Sequence, residues 1–92
     1  MVADTRQIRK RTDKYLASKV DGELILIQGD SGAFYSLTDV GLEIWEKLDR
    51  LKTVEQISVA LQDDYDVSAD VCEQAVAEFT TSLVAAGLAE YA

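Results

Sequence analysis

Ninety-two residues, 48% hydrophobic and 28% charged, with five glycines and no proline, describe one small folded domain rather than a disordered chain. The apolar runs 24–27 and 83–86 fall far short of the roughly 20 residues of a membrane span, and the basic stretch 6–11 leads into Thr12, Asp13 and Lys14, not into an apolar secretory segment. With no histidine and a single cysteine, zinc sites, an internal disulfide and Ser-His or Cys-His catalysis are excluded within this chain. The expectation is a non-enzymatic protein of the reducing cytoplasm, without metal or cofactor.

The net charge of −8 is unevenly spread. Residues 1–20 hold six basic side chains against two acidic ones, whereas the other 72 hold three against fifteen, and no lysine or arginine follows Lys52. Residues 1–12 read as a flexible basic arm, and residues 13–92 as a single domain whose acidic body is a poor match for a polyanion.

In chain order, Tyr15 to Val20 alternates loosely and meets Asp21-Gly22, a strong hairpin signal because these residues tolerate the positive φ of a type I′ turn. Glu23 to Gln28 (E-L-I-L-I-Q) is of strand length. Gly29-Asp30-Ser31-Gly32 is the next turn, and Ala33 to Leu37 a third, short strand. Three strands joined by tight turns make an antiparallel meander. Helical spacing follows: Thr38 or Asp39 caps a helix with Val40, Ile44, Trp45, Leu48 and Leu51 on one face. Thr53-Val-Glu-Gln56 matches a capping box, opening a second helix with Val54, Ile57, Ala60 and Leu61 inward and closing near Tyr65. Ser68 caps the third and longest helix, with Cys72, Ala75, Val76, Phe79, Leu83 and Ala86 as its stripe. Gly87 stops it, with Leu88 placed to pack back. The order predicts an α+β, winged-helix-like domain: a three-stranded antiparallel sheet followed by three helices.

Two apparent motifs fail. Asp63, Asp64 and Asp66 lack the central glycine and terminal glutamate of a calcium loop. Gly29-Asp30-Ser31-Gly32 lacks the lysine and following helix of a phosphate-binding loop. Cys72 faces inward among no cations, so it reads as a small hydrophobe. A winged helix invites a DNA-binding reading, but residues 53–92 hold eight acidic side chains and no basic one, and DNA affinity comes from neutralising phosphates. Only the amino-terminal arm would serve a nucleic-acid-binding regulator.

The succession D-G-E-L-I-L-I, D-S-G-A-F-Y-S-L-T-D-V-G-L-E-I-W-E-K-L, T-V-E-Q-I-S-V-A-L and a long helix ending A-G-L resembles the PqqD-like family, the recognition elements of ribosomally made and modified peptides (RiPPs). The resemblance spans residues 15–88 and is most specific from Gly32 through Trp45. It implies a non-catalytic domain that binds the leader segment of a precursor peptide and presents it to a processing enzyme. Such a leader adds as a strand to the edge of the third strand and lies against the third helix. The aromatic strand and the Asp-Ser-Gly turn look more like the free-standing lasso-peptide proteins, whose partner is a leader peptidase. The alternative within the family is a chaperone for a radical SAM enzyme in pyrroloquinoline quinone synthesis.

The residues suit that task. Ala33, Phe34, Tyr35, Ser36 and Leu37 contain no lysine or proline to block an edge, with Phe34 and Ser36 facing one way and Ala33, Tyr35 and Leu37 the other. On the third helix, Cys72, Glu73, Val76, Ala77 and Thr80 form the expected groove wall, and Asp70 with Glu73 would favour a basic leader. The opposite flank, with Val71, Gln74 and Glu78 as alternatives, stays open.

Overall fold

The computed structural model describes residues 6–92. Asp21 and Gly22 both adopt positive φ, 47° and 79°, the paired left-handed conformations that a two-residue type I′ turn requires. They join β2 (Tyr15–Val20) to β3 (Glu23–Gln28) in a register running from Tyr15↔Gln28 to Val20↔Glu23. The next turn returns the chain into β4 (Phe34–Leu37), paired with β3 from Leu24↔Leu37 to Ile27↔Phe34. The buried Gln28 side chain organises that turn, its Oε1 accepting from the backbone N–H groups of Asp30 and Ser31 at 2.6 and 2.8 Å. These amides are already satisfied, so the loop is a hairpin turn. The sheet order is β2-β3-β4, the expected antiparallel meander.

Three helices follow: α1 (Asp39–Lys47), α2 (Val54–Asp64) and α3 (Ala69–Ala85). The capping box at α2 is complete, with Thr53 Oγ1 accepting from Gln56 N–H at 3.1 Å and Gln56 Oε1 from Thr53 N–H at 3.2 Å. Ser68 Oγ accepts from Val71 N–H at the start of α3. Gly87, at φ 76°, ends α3 in a Schellman arrangement: Leu88 N–H reaches Leu83 C=O and Gly87 N–H reaches Val84 C=O, both at 3.0 Å. Leu88 is thereby driven into the core.

That core joins the inner face of the sheet (Leu26, Leu37) to Ile44, Trp45, Leu48, Val54, Ile57, Leu61, Cys72, Val76 and Leu83 from the helices. Its stripes depart from simple helical spacing at three points. In α1, Leu42 is buried and Val40 exposed, the latter on the wall of an open pocket between the helices. In α3, Thr80 is buried while Ala75 is exposed; the threonine hydroxyl donates to Ala77 C=O, which lets it be buried without an unmet donor. Leu51 lies beyond the end of α1.

The flexible arm is corrected for residues 8–12, while residues 1–5 of it lie outside the described residues. Ile8–Lys10 is a strand, β1, antiparallel to a terminal strand that periodicity missed, β5 (Ala89–Tyr91). Ile8 is 1% exposed and belongs to the core, so the domain begins before residue 13. Arg11 N–H donates to Leu88 C=O at 2.9 Å, extending the closure. Complementary charge accompanies it: Arg9 pairs with Glu90, and Lys10 Nζ lies 2.7 Å from Asp49 Oδ1 and 4.3 Å from the centroid of Trp45. Tyr15 meets the same indole edge-on, its centroid 5.3 Å away. Replacing Ile8 by alanine should lower folding stability by about 2–5 kcal/mol. Denaturant unfolding checks this, since a loose arm would leave the midpoint unchanged.

Candidate functional site: an open strand edge beside the third helix

Among the described residues the sheet has two unpaired edges, β2 and β4. They are not equivalent. On β2, Lys19 shares the inner face with Ala17 and Leu24 and reaches Glu46 of α1 at 3.4 Å, an inward-pointing charge of the kind that blocks strand addition. β4 carries no such charge. Its hydrogen-bonding parity also follows from the register. Gln28 N–H donates to Ala33 C=O at 3.0 Å, so in the alternation of an antiparallel ladder Tyr35 and Leu37 bond to β3. Phe34 and Ser36 therefore turn their N–H and C=O groups to the open edge.

Two contacts set how α3 lies along this edge. A Cβ at Gly41, in the first turn of α1 after β4, would stand 3.2 Å from Cε1 of Phe79, and one at Gly87 would stand 3.1 Å from Nε2 of Gln28. The flank of α3 bearing Val71, Ala75 and Phe79 therefore meets the start of α1, and the helix end meets the β3–β4 turn. Between α1, α2 and α3 lies an apolar pocket of about 150 Å³, lined among others by Val40, Ile44, Tyr65, Val71, Ala75 and Val76. Val40, three residues past the end of β4, is the lining residue nearest that strand in sequence. Val71, 62% exposed, stands at the pocket mouth.

The expected site residues are divided by this geometry. Phe34 and Ser36 are exposed on the outer face, with Ser36 Oγ bonded to Glu23; Tyr35 is half-buried and Leu37 is core. Ala33 lies just before β4, its N–H bonded to Ser31 Oγ. On α3 the residues of the expected wall fall into two groups. Val76 (0% exposed), Thr80 and Cys72 are interior, because they sit on the side of the helix turned to α2 and the sheet. Cys72 and Val76 reach the pocket only as its floor. Asp70, Glu73 and Ala77 project from the opposite flank, around a separate shallow depression with Gln74. Val40, Val67 and Ala75 were missed. The available signal was that Val40 and Ala75 fit an inward stripe by spacing yet lie at its margin, where a pocket wall and a core wall share one period.

A hydrogen bond fixes the pocket rim. Tyr65 donates to Glu43 Oε1 at 3.0 Å, while Glu43 Oε2 is buried without a hydrogen-bond partner among the described residues. That bond, with lesser contributions from burial and from the charges of Glu43, Asp64 and Asp39, raises the Tyr65 pKa above its usual value of 10.0. A raised phenol pKa means the bond contributes fully below the unfolded value and is lost as pH rises through the folded one. Ultraviolet titration should show Tyr65 ionising at lower pH in Glu43→Gln than in the parent, with Tyr65→Phe identifying its signal. Coincident curves would mean the bond does not form.

Fold and edge together define a small α+β module with one sheet edge held open beside a helix. The family model described as coenzyme PQQ synthesis protein D (PqqD) matches residues 23–89, most of the chain, and the chain belongs to that family. Two solved structures are similar to it. One, "TbiB1 in complex with the TbiA(beta) leader peptide", is 28% identical with a TM-score of 0.77 over 85% of this chain and 91% of its own. The other, "lasso peptide synthetase B1 complexed with the leader peptide", is 26% identical with a TM-score of 0.80 over 91% and 98%. Among curated protein sequences none matches at a significant level. No helix of the described residues is long and apolar enough to cross a membrane.

Proposed function

We propose that this protein is a non-catalytic leader-peptide carrier of ribosomal peptide biosynthesis, taking the leader as a strand on β4 and presenting it to a leader peptidase of a lasso-peptide pathway. The observation that carries the reading is the unpaired edge of β4, followed by a helix, α1, that helps line an apolar pocket, in a fold shared with two structures titled as leader-peptide complexes. Phe34 and Ser36 offer four backbone groups to an incoming strand. At roughly 0.5–1.5 kcal/mol each, these bonds fall short of the about 8 kcal/mol of micromolar binding. Side chains supply the remainder, and the pocket between α1 and α3 is the place for an apolar leader residue.

The contrasting reading, a nucleic-acid-binding regulator working through its basic segment, finds that segment already engaged. Arg9, Lys10, Lys14 and Lys19 each lie within 4 Å of an acidic partner, Glu90, Asp49, Asp30 and Glu46 respectively, and Arg6 stacks over the Tyr91 ring. The pyrroloquinoline quinone alternative uses the same edge and differs only in the peptide and enzyme supplied.

Leader titration tests both the edge and the flank. Ala75→Glu, which places a charge in the pocket from an exposed position, should weaken leader binding at least tenfold without changing stability. Ala77→Glu on the other flank should leave it within twofold. The reverse ranking would return the groove to the Glu73–Ala77 side. Binding that falls steeply with salt, as phosphate neutralisation does, would sink strand addition as the main mode.

A further inference from the structure

Val40, Tyr65, Val67 and Val71 are each between 38% and 62% exposed, and all four line the pocket between α1, α2 and α3. The chain surrounds that apolar mouth with carboxylates. Asp39 precedes Val40, Glu43 precedes Ile44, and Asp64 and Asp66 bracket Tyr65. Asp39, Asp64 and Asp66 are exposed, and the charges of Glu43, Asp64 and Asp39 all bear on the Tyr65 hydroxyl. Glu43 is set deepest. Its Oε1 accepts from Tyr65, and its Oε2 is buried with no hydrogen-bond partner among the described residues. One cation answers these four acids: Lys47 Nζ lies 3.6 Å from Asp64 Oδ2. No other lysine or arginine belongs to α1, α2, α3 or the loop between α2 and α3.

Charge chooses the occupant. A lipid headgroup, a nucleic-acid phosphate or a second copy of this chain, itself at −8, would meet repulsion at such a rim. A wholly apolar segment would fill the pocket yet take the rim carboxylates further out of water with nothing to offset them. A segment that sets a lysine or arginine beside its apolar anchor meets both demands. The aliphatic stem of that residue lies along the mouth while its charged head stays at the rim. We propose that the pocket selects a leader whose apolar anchor has a lysine or arginine next to it, the cation being read by Asp39, Glu43, Asp64 and Asp66. The preference for a basic leader thereby moves from Asp70 and Glu73 to the α1 side of α3. This inference deepens the carrier reading and rests on it.

The experiment titrates the full chain with the leader peptide of the precursor encoded beside it, in parent form and with each lysine or arginine in turn replaced by glutamine. The double variant Asp39→Asn/Glu43→Gln removes two rim charges. Asparagine tolerates the positive φ of position 39, and glutamine keeps an oxygen for the Tyr65 hydroxyl. The double variant should bind the parent leader about fivefold more weakly. Asp66→Asn, in the exposed loop between α2 and α3, repeats the test without touching a helix and should lose about threefold. Glu73→Gln, on the other flank of α3, should stay within about twofold. One basic leader position should cost about fivefold against the parent and less than about twofold against the double variant, since the cycle isolates that pair. Equal losses in the rim variants and Glu73→Gln overturn the proposal, because a diffuse field then acts rather than a rim. So does a leader whose basic residues are all replaced without loss, or whose losses persist in the double variant. In each of these cases the leader still binds and the carrier reading stands. A parent that binds no leader overturns that reading, and the rim with it.

Discussion

The placement of α3 against α1 and the sheet is set where two glycines meet other side chains, and the surroundings of the open edge depend on that spacing. Gly41 touches the Phe79 ring and Gly87 touches the Gln28 amide at distances where any side chain would force the neighbour aside. The two partners differ in their freedom to yield. Phe79 is a half-buried ring wedged between helices, whereas Gln28 is held by its bonds to the β3–β4 turn. Displacing the first would tilt the wall of the apolar pocket, and displacing the second would loosen the turn that starts β4. One constraint thus governs both the shape of the pocket and the position of the strand edge.

The charge asymmetry has a structural use at the other side of the molecule. Single exposed ion pairs contribute little, typically 0–1 kcal/mol, so β1 is held chiefly by the burial of Ile8 and by Lys10 lying against Trp45. The pairs from Arg9 and Lys10 to Glu90 and Asp49 add direction, since an acidic body gives a basic strand few other ways to lie. Closing the ends through β1 and β5 secures the C-terminus of α3, and α3 is the element against which the edge is measured. The basic segment is thereby part of the scaffold of the site, though it touches none of it.

Most of the architecture was legible because local chemistry and tertiary packing agree. Asp21-Gly22, the Thr53–Gln56 box and the Gly87–Leu88 ending each need only a few neighbouring residues to act, and all three appear where the spacing places them. β1 and β5 were not legible, because three residues give no period and their pairing joins positions some eighty residues apart. The site was half legible. The β4 edge follows from a strand that lacks blockers, and its inward and outward faces follow from alternation. The flank of α3 that faces α1 does not, since Val71 and Glu73 lie to either side of one stripe and only packing of Phe79 against Gly41 places the one beside α1. Cys72, Val76 and Thr80 illustrate the same ambiguity, for residues that bound a groove and residues that fill a core recur with one helical spacing.

A carrier of the kind proposed must release what it binds, and the geometry of the candidate site suits that need. In the proposed mode, backbone pairing through Phe34 and Ser36 would be indifferent to sequence and modest in strength, which would leave the pocket between α1, α2 and α3 to choose the leader. In the proposed carrier a leader held by so few backbone bonds stays bound only while an apolar side chain occupies the pocket, so retention and release turn on that one contact.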